Sequence, residues 1–387
     1  MRRNLRIIYA TSALVWARFF LPVLALFYIA SQVPFEQFSI IMAVFAGVTL
    51  LLEIPSGLIT DLIGKRKALI ISRSCYLLEV ALLAFTNGFW PFLIAKVISA
   101  VGVSLTSGTS SAMLYDTLRR SFKEHRHKEI KGLTTTISNI SMGVTFILGA
   151  YLFSIDPKLP ALLSLPFLAL ALVLTFFLKE PYKPNKHLAL NSLGKHLSQG
   201  LRYFSRHKYV KYLVFYALPF TAAVEVLLAS SSAYYKAVGI PVSLIGLVAF
   251  AVVMVRAGSS RYAHKLEGKL GEHNSLLLTA GAFNVIMLLL ALILPYVSIA
   301  FYLTLGLVDG FFLVILDNYL NKHIETSHRA TMLSINNLFA NLGVVILFPL
   351  IGAVKGAHGF GPAYAVLAGV VALYMVLFWV LFHRRKF

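Results

Sequence analysis

Twelve apolar runs, each long enough to cross a bilayer, leave this chain few folds to adopt. A hydrocarbon core of ~30 Å takes about 20 apolar residues of helix. Runs of that size lie near 6–29, 38–60, 68–86, 91–117, 133–153, 161–178, 212–235, 244–260, 275–294, 299–320, 331–354 and 364–383. Lipid offers no partner for backbone N–H and C=O groups, so each run is expected to be a helix. Composition agrees: 58% of residues are hydrophobic and 13% charged, about half the charge of a soluble domain. A soluble enzyme of 387 residues would have too little polar surface to cover itself. The single cysteine, Cys75, excludes an internal disulfide and a cysteine-built metal site. The first run is too long for a signal-peptide core and no small-residue cleavage site follows it, so it is expected to remain in the protein.

The breaks between runs alternate in character. Ser31-Gln32-Val33-Pro34, Asn87-Gly88-Phe89-Trp90 and Pro295-Tyr296-Val297-Ser298 carry no Lys or Arg. Gly64-Lys65-Arg66-Lys67, the stretch Arg119 to Lys131 and the stretch Lys179 to Lys211 are basic. Of 35 Lys and Arg residues, 28 fall on one side of the alternation and 3, Lys158, Lys236 and Lys355, on the other. The positive-inside rule puts the basic side and both termini in the cytoplasm. The net charge of +20 is therefore a topology signal; scattered between apolar runs, it is not the basic stripe of a nucleic-acid binder. The sequence specifies an all-α, multi-pass protein of the cell membrane.

The longest loop, 179–211, follows the sixth run and divides the chain into residues 1–178, a cytoplasmic linker and residues 212–387. Leu193, Leu197, Leu201 and Phe204 share one helical face of that linker, the pattern of an amphipathic helix on an anionic leaflet; a solvated basic linker is the alternative. The halves echo each other. Leu114-Tyr115-Asp116-Thr117-Leu118 ends the fourth run and Leu316-Asp317-Asn318-Tyr319-Leu320 ends the tenth, each placing a carboxylate at the cytoplasmic end. Parallel repeats of this kind are a known transporter plan.

The strongest local signal is Glu53-Ile54-Pro55-Ser56-Gly57-Leu58-Ile59-Thr60-Asp61-Leu62-Ile63-Gly64-Lys65-Arg66-Lys67. Glu53, Gly57 and Asp61 are spaced by four and share a helix face, and Gly57 there admits a close neighbour. The segment resembles the signature between helices 2 and 3 of the major facilitator superfamily. Its Glu-Ile-Pro-Ser-Gly approach, Tyr115-Asp116-Thr117-Leu118 and Arg329-Ala330-Thr331-Met332-Leu333-Ser334 are similar to a drug/proton antiporter-like subgroup. The resemblance implies twelve transmembrane helices in two pseudo-symmetric six-helix bundles. It also implies a conformational latch of Gly57, Asp61, Gly64, Lys65, Arg66 and Asp116, in which Asp61 meets helix 11 and joins a relay with Lys65 and Asp116. Arg66, like Lys67, also reads simply as a topology charge. Three departures stand out: Leu62 replaces a basic residue, Lys96-Val97-Ile98-Ser99-Ala100 replaces Arg-x-x-Gln-Gly, and Gly143 with Gly149 lacks the proline of the antiporter pattern on helix 5.

An ionisable group in mid-membrane costs at least ~2.5–3.5 kcal/mol and marks a cavity or a partner. Arg18, Glu225 and Asp309 lie near the middle of runs 1, 7 and 10, and Lys96 lies on run 4; in the family, these four helices line the central cavity. The four are candidates for substrate or proton work, with a structural ion pair between the halves as the alternative. Lys96 lies close enough to the outer edge to snorkel instead, and Arg73 and Arg256 near cytoplasmic ends read as snorkelling or motif-supporting. Glu79, off the expected cavity, has no evident role. Walker loop, paired zinc histidines and nucleophile elbow are missing, so no catalytic residue, cofactor or resident metal is expected, and ATP cannot drive this chain alone. The expected function is secondary active transport of a small organic solute by a monomer in contact with lipid, as export coupled to proton entry. Uptake or facilitated transport of a sugar, anion or lipid-like solute is the alternative; a channel or intramembrane enzyme is the rival of another class.

Overall fold

The computed structural model describes residues 2–182, 202–325 and 329–383, and among them every regular element is helical. The first predicted run is broken into α1 (Arg2–Leu14), a single 3-10 turn at Leu21–Val23 and α2 (Leu24–Ala30). There follow α3 (Phe35–Ile63) and α4 (Lys65–Phe85). The fourth run is also broken, into α5 (Phe89–Thr106) and α6 (Thr109–Arg119). Then come α7 (His127–Ile155), α8 (Leu159–Phe176), α9 (Lys208–Ala237), α10 (Val242–Ala291), α11 (Val297–His323), α12 (Arg329–His358) and α13 (Phe360–His383). Ten helices among the described residues are long and apolar enough to cross a membrane. One of them, the 50-residue α10, bends at Gly271 and serves as two passages. With the broken first span, every one of the twelve predicted runs has its helical counterpart. Leu51, Phe85, Ile140 and Leu373 are each more than 60% exposed, the exposure that a hydrocarbon solvent favours.

The chain forms two compact units, one of residues 1–33 and 44–195 and one of residues 34–43 and 196–387. The ten-residue segment 34–43 therefore groups with the second unit, although it precedes the predicted boundary at 178 by far. Of the predicted amphipathic helix, residues 183–201 lie outside the described residues. Residues 202–206 are helical, and Phe204 is buried against Phe215 and Phe339 of the second unit.

The two units share a turn. Gly64, between α3 and α4, has φ 92° and ψ 151°; Gly271, at the bend of α10, has φ 76° and ψ 171°. Both values are costly for residues with a Cβ. The same backbone conformation at the same connection of each half is what parallel repeats produce.

The break in the first span shapes the first unit. Residues 15–20 leave the helix; tight turn bonds still reach Ala13 O and Trp16 O, and the carbonyls around the break accept further donors from outside the span. Helix α7 supplies them from one face: Ser138 Oγ donates to Ser12 O (2.9 Å), Ser141 Oγ to Ala13 O (2.8 Å) and Thr145 Oγ1 to Trp16 O (3.2 Å). From α8, Ser164 Oγ accepts the Phe19 N–H at 3.0 Å. One turn beyond Thr145, Gly149 lies so close to the Phe19 carbonyl that any Cβ would overlap it. At the opposite end of α4, Lys158 Nζ donates to Leu83 O (2.8 Å) and Thr86 O (2.7 Å), a cation on a helix C-terminus. Burial pushes its ammonium pKa down, against the pull of Asp156.

Gly149→Ala is expected to lower the thermal stability of the detergent-purified protein by the equivalent of about 1–3 kcal/mol, as overpacking does. Gly132→Ala on the same helix, where a Cβ meets open space, is the control. Equal melting temperatures would refute the close packing of α7 on the break.

Candidate functional site

Arg18 sits in the unwound part of the first span, held there by the hydroxyl ladder of α7. Its guanidinium lies 3.9 Å from the centre of the Tyr76 ring and 3.6 Å from the Glu79 carboxylate. Both partners are on α4, whose i,i+3 spacing puts them on one face. From α5, Lys96 Nζ donates to the other Glu79 oxygen at 3.0 Å. Glu79 is fully buried and Lys96 is 5% exposed. The structure thus brings two of the predicted site residues, Arg18 and Lys96, onto one carboxylate. Lys96 does not snorkel; it turns inward because Glu79 is there. Glu79 was the missing piece. The available signal was its own cost: a carboxylate amid apolar sequence needs a cation, and two stood on neighbouring helices.

A cavity of about 420 Å³ opens beside this triad, bounded by residues of α1, α4 to α8 and the two helix breaks. Arg18, Arg73, Tyr76 and Trp16 line it, with Thr106, Ser107 and Ser110 at the second break. Thr106 is a hub. Its hydroxyl bonds that of Ser72 and accepts from Arg73 Nη1 (3.3 Å) and Tyr76 Oη (3.4 Å). Arg73, read from sequence as a snorkelling or supporting residue, is only 7% exposed and faces this cavity.

At the membrane edge of the same unit, the predicted latch residues Lys65 and Asp116 form an ion pair. The Glu180 carboxylate, which sequence reading passed over, accepts the backbone N–H groups of Lys65 (3.1 Å) and Arg66 (2.7 Å). It caps the start of α4 through the space left by Gly64, where a Cβ would stand 3.2 Å from a Glu180 oxygen. Arg66 donates to Phe176 O at 2.6 Å. Asp61 and Gly57 are exposed on α3.

In the second unit, Asp309 is 4% exposed at the middle of α11, and Arg256 Nε on α10 lies 2.8 Å from its carboxylate. Gly306 and Gly310 flank it and seat α11 directly on the Val252 and Arg256 carbonyls, a small-xxx-small contact. Arg256 is thereby a partner of Asp309. Glu225 is exposed on α9 between the buried Val224 and Val226. The ion pairs of Arg18 and Asp309 each lie within one unit.

The sequence profile described as Major Facilitator Superfamily matches residues 7–324. The chain belongs to this superfamily. It is 22% identical over 384 residues to the uncharacterized MFS-type transporter YxaM of Bacillus subtilis (strain 168), covering 93% of this chain and 90% of that one. A variant of the nucleoside transporter NupG superposes with a TM-score of 0.78 at 13% identity, over 98% of this chain and 99% of that one. A POT family transporter in complex with a peptide conjugate gives 0.71 at 13% identity, over 99% and 96%. A bacterial homologue of the human lysosomal transporter Spinster gives 0.69 at 14%, also over 99% and 96%. The superfamily member is thus a multi-pass membrane transporter and not an enzyme.

Glu79→Gln in this transporter is expected to cost about 3–5 kcal/mol, since it leaves two buried cations without their carboxylate. Glu79→Gln combined with Lys96→Met should recover part of that loss. Strictly additive effects in the double-mutant cycle would show that Glu79 and Lys96 do not depend on each other.

Proposed function

We propose that this protein is a secondary active transporter that exports a small organic solute in exchange for proton entry, by alternating access across the cell membrane with both termini in the cytoplasm. The observation that carries the coupling is Asp309: a carboxylate in the middle of a spanning helix, buried, whose cation Arg256 is itself 40% exposed. A guanidinium beside such a carboxylate favours its ionised form, and losing that partner in apolar surroundings favours the protonated form. A conformational change that moves Arg256 by a few ångströms therefore loads or unloads a proton. Glu225, exposed on α9, is the second coupling candidate. The outward direction is supported by the resemblance of Glu53–Gly57 and Tyr115–Leu118 to the drug/proton antiporter-like subgroup. The cargo is not inherited from the structural neighbours, which include a nucleoside transporter and a transporter in complex with a peptide conjugate.

In proteoliposomes loaded with a solute found by thermal-stabilisation screening, Asp309→Asn is expected to abolish accumulation driven by a pH gradient while exchange without a gradient partly survives. Glu225→Gln should act in the same sense. If both variants still concentrate solute against its gradient, neither carboxylate couples protons and the Asp309–Arg256 pair is structural.

The Lys65–Asp116 pair, with Asp61, would serve as the latch on the conformational equilibrium. Asp61→Asn and Asp116→Asn are each expected to slow transport about tenfold, which is a ~1.4 kcal/mol shift between states, at near-normal expression. Unchanged rates in both variants would leave the segment a topology element only.

A further inference from the structure

The cavity of the first unit has more cations than its protein surroundings balance. Arg18, Arg73 and Lys131 line it, and among the described lining residues there is no carboxylate. The one carboxylate at its edge, Glu79, is already held by Lys96 at 3.0 Å, while Arg18 stands off at 3.6 Å. Both guanidiniums keep a buried Nε that meets no acceptor. A buried donor without an acceptor costs free energy, and a surplus of positive charge in a membrane costs more. An arginine fork is shaped for two-oxygen acceptors.

A second, independent feature of the backbone points the same way. The break at Ser107–Gly108 starts α6, an eleven-residue helix whose first turn has no side-chain cap. Ser107 and Ser110 of that start are on the cavity wall. A helix N-terminus presents free N–H groups and a positive dipole end. Beside the polar groups, Ile8, Val15, Leu69 and Met113 provide apolar wall, with the half-exposed Trp16 ring among them. The volume of about 420 Å³ is that of a site for a small organic molecule rather than for a bare inorganic ion.

We propose that this cavity binds a small organic anion, its carboxylate or phosphate group between Arg18, Arg73 and the start of α6, and its apolar or aromatic remainder against Trp16, Val15 and Leu69. This rests on the transport reading above and specifies its cargo. As the anion binds, it supplies the acceptors that the two guanidiniums lack, and Glu79 stays with Lys96. A cationic solute meets three positive groups, and a neutral one leaves them uncompensated.

The test is thermal stabilisation of the purified full-length protein by matched probes: benzoate and octanoate, phenyl phosphate and octyl phosphate, benzyl alcohol and octanol, benzylamine and octylamine. The carboxylates or the phosphates are expected to raise the melting temperature in a saturable way, and which of the two does so identifies the anionic group. The alcohols and amines should not. Arg73→Gln should weaken the anion effect at least tenfold, and Arg73→Lys, which keeps the charge but loses the fork, should weaken it less. If Arg73→Gln does not fold, the Arg73→Lys measurement and the wild-type series decide. Stabilisation by the neutral or amine probes alone, no stabilisation by any anion, or an anion effect unchanged in the Arg73 variants each overturns the proposal. Counterflow in proteoliposomes separates the two readings. Transport of a neutral solute would leave the transporter standing and remove the anion, whereas anion binding without any counterflow would do the reverse.

Discussion

An unwound turn inside a membrane must be hydrogen-bonded by its neighbours, because lipid cannot do it. The break at residues 15–20 imposes that condition on the first unit. Ser138, Ser141 and Thr145 recur at three- and four-residue intervals on α7, the spacing that keeps hydroxyls on one face, and each donates to a carbonyl at the end of α1 or in the opened turn. Ser164 takes the freed N–H from the other side. Gly149 then lets α7 close on the Phe19 carbonyl. Three helices are fixed by one defect. What the defect provides in return is a fixed position for Arg18, whose side chain leaves an irregular backbone toward α4 instead of pointing where a regular helix would send it.

The buried charges follow from the same economy of partners. Glu79 at full burial is tolerable only with cations within reach, and it has one at 3.0 Å and a second at 3.6 Å. In the second unit a single arginine answers a single aspartate. The first unit therefore keeps a net positive interior, and the second is close to neutral. That difference does not arise from symmetry. The shared glycine turn at Gly64 and Gly271 shows that the halves keep a common frame, on which unlike side chains have been placed.

Much of the fold was legible in the sequence. Hydropathy and the alternation of basic and neutral breaks located twelve passages, because lipid penalises polar backbone and charge so heavily that composition alone marks the spans. The breaks within spans 1 and 4 were passed over, although Pro22 just after the first and Gly108 in the second are local signals; the hydroxyls that support the first lie more than a hundred residues away. Of the site, Arg18, Lys96, Lys65, Asp116 and Asp309 were readable as expensive or motif-bound residues. Their partners Glu79, Glu180 and Arg256 were harder to assign. Each is a long-range contact, and sequence spacing orders neighbours only within one helix. Arg256 sits four residues after Val252 and Gly310 four after Gly306; that paired spacing was the one local sign that α10 and α11 meet at Asp309.

If, as proposed, cargo and proton bind different units, coupling is constrained. When one carboxylate binds both, the two compete directly, and charge balance at that carboxylate sets the stoichiometry. When an anion binds among cations in the first unit and a proton binds at Asp309 in the second, no atom is shared, and the two events can influence each other only through the conformational equilibrium. The coupling free energy is then limited by how differently each ligand binds the two states. Contacts outside both sites that bias that equilibrium, the Lys65–Asp116 pair and the Glu180 cap at the start of α4 among them, become part of the coupling machinery. A cap that holds the Lys65 and Arg66 N–H groups in a membrane-edge turn fixes the lysine that reaches Asp116. The backbone geometry of one glycine, Gly64, thereby sets how firmly Lys65 is aligned on Asp116, the pair proposed as a latch.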